Sequence, residues 1–158
     1  MKTCGILALD PGTTSGVDCG TWVLGCDVTE AVTEWRGVSR EVSGTILEQA
    51  QIICGMWLGL CSQLPDLKCY LVIESYQQRP VAHMLPSGAL DPIRVAYMTL
   101  GLLAGLGCPE CVIWQTAGVA MSHATDARLR EWGSWIRGSG HKRDARRHAL
   151  TLRNRLSE

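Results

Sequence analysis

The sequence predicts an α/β fold: a mixed sheet of about five strands, in which an antiparallel meander is followed by helix-connected strands, flanked by helices. Three features lead there. Two continuous apolar runs, Cys4 to Leu9 and Cys69 to Ile73, each end in a carboxylate. Between and after them the apolar spacing switches from short runs broken by glycine and proline to a period of three or four residues. The resulting order is strand, strand, strand, helix, strand, helix, strand, helix.

Cys4 to Leu9 reads as a buried strand that stops at Asp10, because Pro11-Gly12-Thr13-Thr14-Ser15-Gly16 is a dense turn signal. Val17 to Cys26 suits a returning antiparallel strand, and Val32 to Val38 a third. From Glu41 onward Val42, Ile46, Ala50, Ile53, Trp57, Leu60 and Leu64 recur at helical spacing. That predicts an amphipathic helix of about six turns, with Ser39 placed to cap it and Pro65 to stop it. Cys69 to Ile73 is a second buried strand, delivering Glu74 to its end. Asp91-Pro92 supplies an N-cap and a first-turn proline for a helix through Leu106 that is apolar on nearly every face and therefore expected to be covered on both sides. Cys111 to Gln115 is a further strand, followed by a loop-rich stretch with Gly118, Gly133, Gly138 and Gly140. A terminal helix from His141 to Leu156 aligns Ala145, Ala149, Leu152 and Leu156 in one apolar stripe.

The length of 158 residues suits one domain over 1–158. Fifteen basic residues balance fifteen acidic ones, which argues against recognition of nucleic acid by bulk basicity. The zero is unevenly distributed: residues 1–125 carry a net charge of −5 and residues 126–158 a net charge of +5. Eight cysteines scattered through apolar runs, with no secretory signal before them, fit a reducing cytoplasm better than a disulfide framework. Cys108-Pro-Glu-Cys111 lacks the second pair of ligands that a structural zinc needs. No apolar stretch reaches the roughly 20 residues that span a bilayer.

The carboxylates carry the chemistry. If the strands ending at Asp10 and Glu74 are parallel neighbours, both acids leave the sheet at the edge where open α/β sheets bind ligands. Asp144 lies three residues after His141 at the start of the terminal helix, on the same side of it. Three carboxylates make an all-oxygen site suited to Mg²⁺ or Mn²⁺, and their mutual repulsion is relieved by cations. Two such ions about 3.5–4 Å apart form a clamp for phosphodiester hydrolysis.

Ile6-Leu7-Ala8-Leu9-Asp10-Pro11-Gly12-Thr13-Thr14-Ser15-Gly16, the strand Leu71-Val72-Ile73-Glu74, and His141-x-x-Asp144-Ala145 with Ala149-Leu150 resemble the three motifs of the RuvC Holliday-junction resolvases, in the family's order and over nearly the whole chain. The likeness is to the short bacteriophage type, within the ribonuclease H-like superfamily. The resemblance implies an RNase H-like fold, a symmetric homodimer, and nicking of branched DNA with two Mg²⁺ or Mn²⁺ per site. It places Asp10 between both metals, Glu74 and Asp144 on one each, and His141 on a metal, the attacking water or the scissile phosphate. It also implies a cytoplasmic location, that of the host if the protein is phage-encoded. The stretch Thr116 to Met121 departs from the pattern by lacking a lysine.

Arg128, Arg130, Arg137, Lys142, Arg143, Arg146 and Arg147 surround the helix that carries Asp144, and of these Lys142, Arg143 and Arg147 are expected to meet DNA phosphate. Arg79 and Tyr76 follow Glu74, and the resemblance assigns Tyr76 to stacking on unpaired bases. Arg153 and Arg155 read as a solvated helix face, His148 as a core histidine, and Trp132 and Trp135 as loop packing. The apolar helix Ile93 to Leu106 is the expected dimer contact. The competing readings are a nuclease for flaps, forks or RNA, a non-catalytic DNA-binding module, and a fragment of an actin or Hsp70-type ATPase, whose phosphate loop Leu9-Asp10-Pro11-Gly12-Thr13-Thr14 resembles.

Overall fold

The two apolar runs that end in acids are neighbouring parallel strands. The computed structural model describes residues 2–76, 89–106 and 111–158. In it β1 (Lys2–Asp10) pairs with β4 (Cys69–Glu74) from Gly5 opposite Cys69 to Leu9 opposite Ile73. On the other side of β1 run β2 (Ser15–Leu24) and β3 (Arg36–Val42), both antiparallel to their neighbours, and β5 (Val112–Gln115) lies parallel to β4. The sheet order is β3-β2-β1-β4-β5. The mixed α/β architecture read from the sequence is the architecture observed.

Alternation along β1 divides the core in two. Leu7 and Leu9, with Leu71 and Ile73 of β4, face α2 (Ile46–Gln63) and α3 (Asp91–Gly105). Cys4, Ile6 and Ala8, with Val72, face the opposite layer. That layer is dominated by α6 (Gly140–Ser157), with α1 (Val28–Glu34), α4 (Ala117–His123) and α5 (Asp126–Glu131) around it.

Several expectations are corrected. Val32 to Glu34 is the end of α1, nucleated by Asp27, whose side chain accepts from the Glu30 backbone N–H; the third strand starts only at Arg36 and continues to Val42. The helical spacing that included Val42 is a coincidence of strand and helix burial. Gly44, at φ +120°, ends the strand, and a Thr45–Glu48 capping box starts α2 there. Ser39 donates instead to the Asp18 carboxylate. The N-cap of α3 is Leu90 rather than Asp91. α3 is covered on one side only: Tyr97 is 64% and Leu106 58% exposed. The loop-rich stretch holds α4 and α5, capped by Thr116 and Thr125. Cys108 lies outside the described residues, and no described helix is long and apolar enough to cross a membrane.

The docking of α6 differs most from expectation. Its alanine–leucine stripe is buried as predicted, but so are Arg146, Arg147, His148 and Arg153. Arg153, expected in solvent, is 2% exposed and donates to the carbonyls of Val23 and Cys26 at 2.9 and 2.6 Å. Arg146 donates to Asp18 Oδ1 at 2.8 Å and to Ser39 at 2.9 Å, with its guanidinium 3.8 Å from the Trp35 ring centroid. Asp18 is wholly buried, so Arg146 is the cation that makes its burial tolerable.

Arg146→Met is therefore expected to lower the unfolding free energy by about 3–5 kcal/mol in urea titrations, since Asp18 is left buried without its partner. Adding Asp18→Asn in the same chain recovers part of that loss. A single variant that loses under about 1 kcal/mol would show that the pair does not hold α6 to the sheet.

Candidate functional site

Strand polarity brings the first two acids together. β1 and β4 run side by side in the same direction, so Asp10 and Glu74 leave the sheet at the same edge. Asp10 is 8% exposed and is followed by a turn fixed from beneath: Ser15 accepts from the Gly12 backbone N–H and donates to Gln49 Oε1 at 2.7 Å. The Gln49 amide in turn donates to the carbonyls of Thr13 and Gly44. In the sequence Gln49 looks like one polar residue on an amphipathic helix.

The third acid arrives on the first turns of α6. Gly16 allows this approach: a Cβ there would collide with the backbone carbonyl of His141 and crowd the Lys142 nitrogen. His141 Nδ1 then stands 2.8 Å from Asp10 Oδ2. Asp144 is held by Arg147, whose guanidinium also reaches Asp126 and donates through Nε to the Ala124 carbonyl at 3.0 Å. His148 lies one helical turn after Asp144, buried, with Nε2 2.9 Å from Glu74 Oε2 and Nδ1 2.6 Å from Gln115 Oε1. It is a core histidine, as expected, but one whose ring orients Glu74. Its spacing of four from Asp144 was the available signal; its partners, distant in sequence, were not.

The charges of Glu74 and Asp144 and the His141 ring all act on Asp10. Burial and the charge of Glu74 push the Asp10 carboxyl up to about 6, with Asp144 adding to the rise and His141 opposing it. In each of the three carboxylates one oxygen is held by an internal partner, His141, His148 or Arg147. The other oxygen has no hydrogen-bond partner among the described residues.

Among the described residues no three His, Cys, Asp or Glu side chains are already gathered into a cage for a metal ion. The donor chemistry nonetheless fits a hard divalent cation. Three repelling carboxylates, each with a free oxygen, and one imidazole form an open half-shell for ions that keep part of their water.

The expected DNA contacts divide. Tyr76, directly after β4, is exposed and lines a cavity of about 460 Å³ that also borders Glu74, Tyr97 and Trp114. Lys142 and Arg143 are half-buried at the mouth of α6; Arg143 donates to the carbonyls of Ile136 and Gly138. Arg147, expected at phosphate, instead faces inward and positions Asp144, because Asp126 and the Ala124 carbonyl occupy the rest of its guanidinium. Arg79 lies outside the described residues.

No protein-family model matches the chain, and no curated protein matches it in sequence. Solved structures do match in fold. RuvC of Thermus thermophilus in complex with a Holliday junction substrate superposes with a TM-score of 0.62 over 94% of this chain and 91% of that one, at 16% identity. A second structure of Thermus thermophilus RuvC gives 0.59 over 93% and 92%, at 15% identity. The chain thus has a RuvC-like fold.

Asp10 makes a pH prediction. Its ordinary pKa is 3.8 and its folded value about 6, so the folded protein holds this proton more tightly than the unfolded chain. The residue costs nothing below pH 3.8, and its cost is fully present above about pH 6. Asp10→Asn in metal-free buffer should stabilise the protein by about 1–3 kcal/mol at pH 7.5, with the gain shrinking toward pH 4. Urea midpoints of both proteins across that range test it; a difference that does not vary with pH would refute the crowding.

Proposed function

We propose that the chain is a structure-selective DNA endonuclease: a single RuvC-like domain over residues 1–158, of the bacteriophage type, that resolves Holliday junctions and related branched DNA in recombination or phage DNA processing. The observation that carries this is that Asp10 and Glu74 leave parallel β1 and β4 at one edge of a RuvC-like sheet, with the charges of Glu74 and of Asp144 on α6 both acting on Asp10. The junction bound by the first solved neighbour supports branched DNA as the substrate. The proposed location is the cytoplasm, that of the host for a phage protein.

Asp10, Glu74 and Asp144, with His141 beside Asp10, would hold one or two Mg²⁺ or Mn²⁺. Bound there, such ions supply an activated water and neutralise charge on the leaving oxygen. The remaining work falls to side chains. His141 Nδ1 holds Asp10, and the exposed imidazole can take or return a proton at Nε2 near the phosphate. His148 keeps Glu74 aimed at the edge of the sheet, and Arg147 does the same for Asp144. Lys142 and Arg143, half-buried at the start of α6, would meet the phosphates flanking the cut, and exposed Tyr76 would offer a ring to an unpaired base.

Paired nicks need two such sites, and the uncovered face of α3 supports a homodimer. Tyr97, Met98 and Leu106 are exposed there, and Gly101 and Gly105 leave room for a second backbone.

The test uses synthetic four-way junctions, forks and linear duplexes with Mg²⁺ or Mn²⁺. Wild type should nick opposed strands of the junction, and Asp10→Asn or Asp144→Asn should cut at least about a hundredfold more slowly. Mn²⁺ should raise the melting midpoint of wild type and leave that of Asp10→Asn unmoved. Intact junctions, or variants that cut as well as wild type, would sink the nuclease reading. A preference for forks or flaps would keep the chemistry and replace the substrate.

A further inference from the structure

Nine lysines and arginines lie in residues 126–158, but the fold does not present them all. Arg146, Arg147 and Arg153 are buried against internal acceptors, and exposed Arg128 donates to the His123 carbonyl at 2.7 Å. A different arrangement stands beside the candidate site, in the link between α5 and α6. There the Trp135 indole has two guanidinium groups against it: the Arg130 Cζ is 3.9 Å and the Arg143 Cζ 4.6 Å from the ring centroid.

The two arginines are not equivalent. Arg143, the residue before Asp144, already secures the link by donating to the Ile136 and Gly138 carbonyls at 3.2 and 3.0 Å. One cation is enough for such a clip. Arg130 adds a second positive charge to the same ring and is exposed, and its side chain has no hydrogen bond or carboxylate partner among the described residues. Two like charges on one indole repel, and a bound anion would relieve that repulsion. The mode of contact leaves the means to bind one. Stacking uses the face of a guanidinium, while its N–H donors point outward in the plane, matched to two oxygens of a phosphate. Holding a guanidinium against an indole also reduces the rotamer entropy that a free surface arginine loses on binding.

On the nuclease reading above, we infer that Arg130, oriented by Trp135 and Arg143, is a binding site for a DNA backbone phosphate on the duplex arm that leaves the cut. The site is a positioning contact. It touches the chain of the substrate away from the reacting phosphate and fixes how the arm lies across the N-terminal end of α6. Trp135, which the sequence suggested was loop packing, is the platform that makes the contact rigid.

Binding to a four-way junction and to linear duplex, measured in an Asp10→Asn background across a salt series, tests this. Each phosphate contact contributes roughly 0.9 to the slope of log K against log salt. Arg130→Ala should reduce that slope by about one and weaken binding roughly tenfold at low salt, with an unchanged melting midpoint. Arg130→Lys should recover the slope and only part of the affinity, because an ammonium has no plane to stack. Trp135→Leu should behave like Arg130→Lys. An Arg130→Ala protein that binds DNA with the wild-type slope overturns the inference and leaves the nuclease reading standing. Failure of the parent protein to bind any DNA overturns both. A lowered melting midpoint with an unchanged slope would make the stack a structural clip and overturn the inference.

Discussion

The seating of α6 across the sheet is the contact on which the rest depends. Two acids are brought to one edge by strand pairing alone, since β1 and β4 are parallel neighbours. The third has to be carried there on another element, to within reach of two like charges. Burial of Ala145, Ala149, Leu150 and Leu152 supplies part of the attraction. The remainder is polar and directional: Arg146 on Asp18, Arg147 on Asp126, His148 on Glu74 and Gln115, and Arg153 on the carbonyls at the end of β2. Hydrophobic burial would tolerate sliding or rotation of the helix, because it is not directional. These hydrogen bonds do not, and Gly16 removes the one side chain that would keep the first turn at a distance.

The consequence is an acidic site held in a strained balance. Each carboxylate has a partner on one side and a free oxygen on the other, so the cluster is neither neutralised nor dispersed. Asp10 shows the cost in its raised pKa. Amides in place of these acids would remove that cost, whereas carboxylates keep both the charge and the open oxygens.

The sheet was legible because its signals are local. A buried parallel strand is a continuous apolar run, and an acid at its end can be read by eye, which is how Asp10 and Glu74 were found. The same directness applied to Asp144 and His141, three residues apart on one helix. Misreadings arose where a local signal fits two states. Val42 continues a helical period and is also the buried residue of β3, and only the glycine and capping box after it decide between them. Val32 to Glu34 look like strand until Asp27 is recognised as a cap. The inward arginines were illegible for another reason. Asp18 and Arg146 are 128 residues apart, and nothing near either one announces the other.

The choice of arginine follows from the same constraint. The chain has twelve arginines and only three lysines, and the buried cations, Arg146, Arg147 and Arg153, are all arginine. A buried lysine can discard its proton and become neutral, which would release α6 from Asp18 and Asp126. A guanidinium stays charged and offers five donors in a fixed plane, so it can hold several oxygen acceptors and an aromatic face together. Arg146 does this in the interior, between Asp18, Ser39 and Trp35. Arg143 repeats the pattern nearer the surface with two carbonyls and Trp135. Arg130 has the aromatic face and lacks the oxygens. A helix docked through lysines could carry the same formal charge, but it would neither fix Asp144 nor leave one stacked guanidinium unfilled beside it.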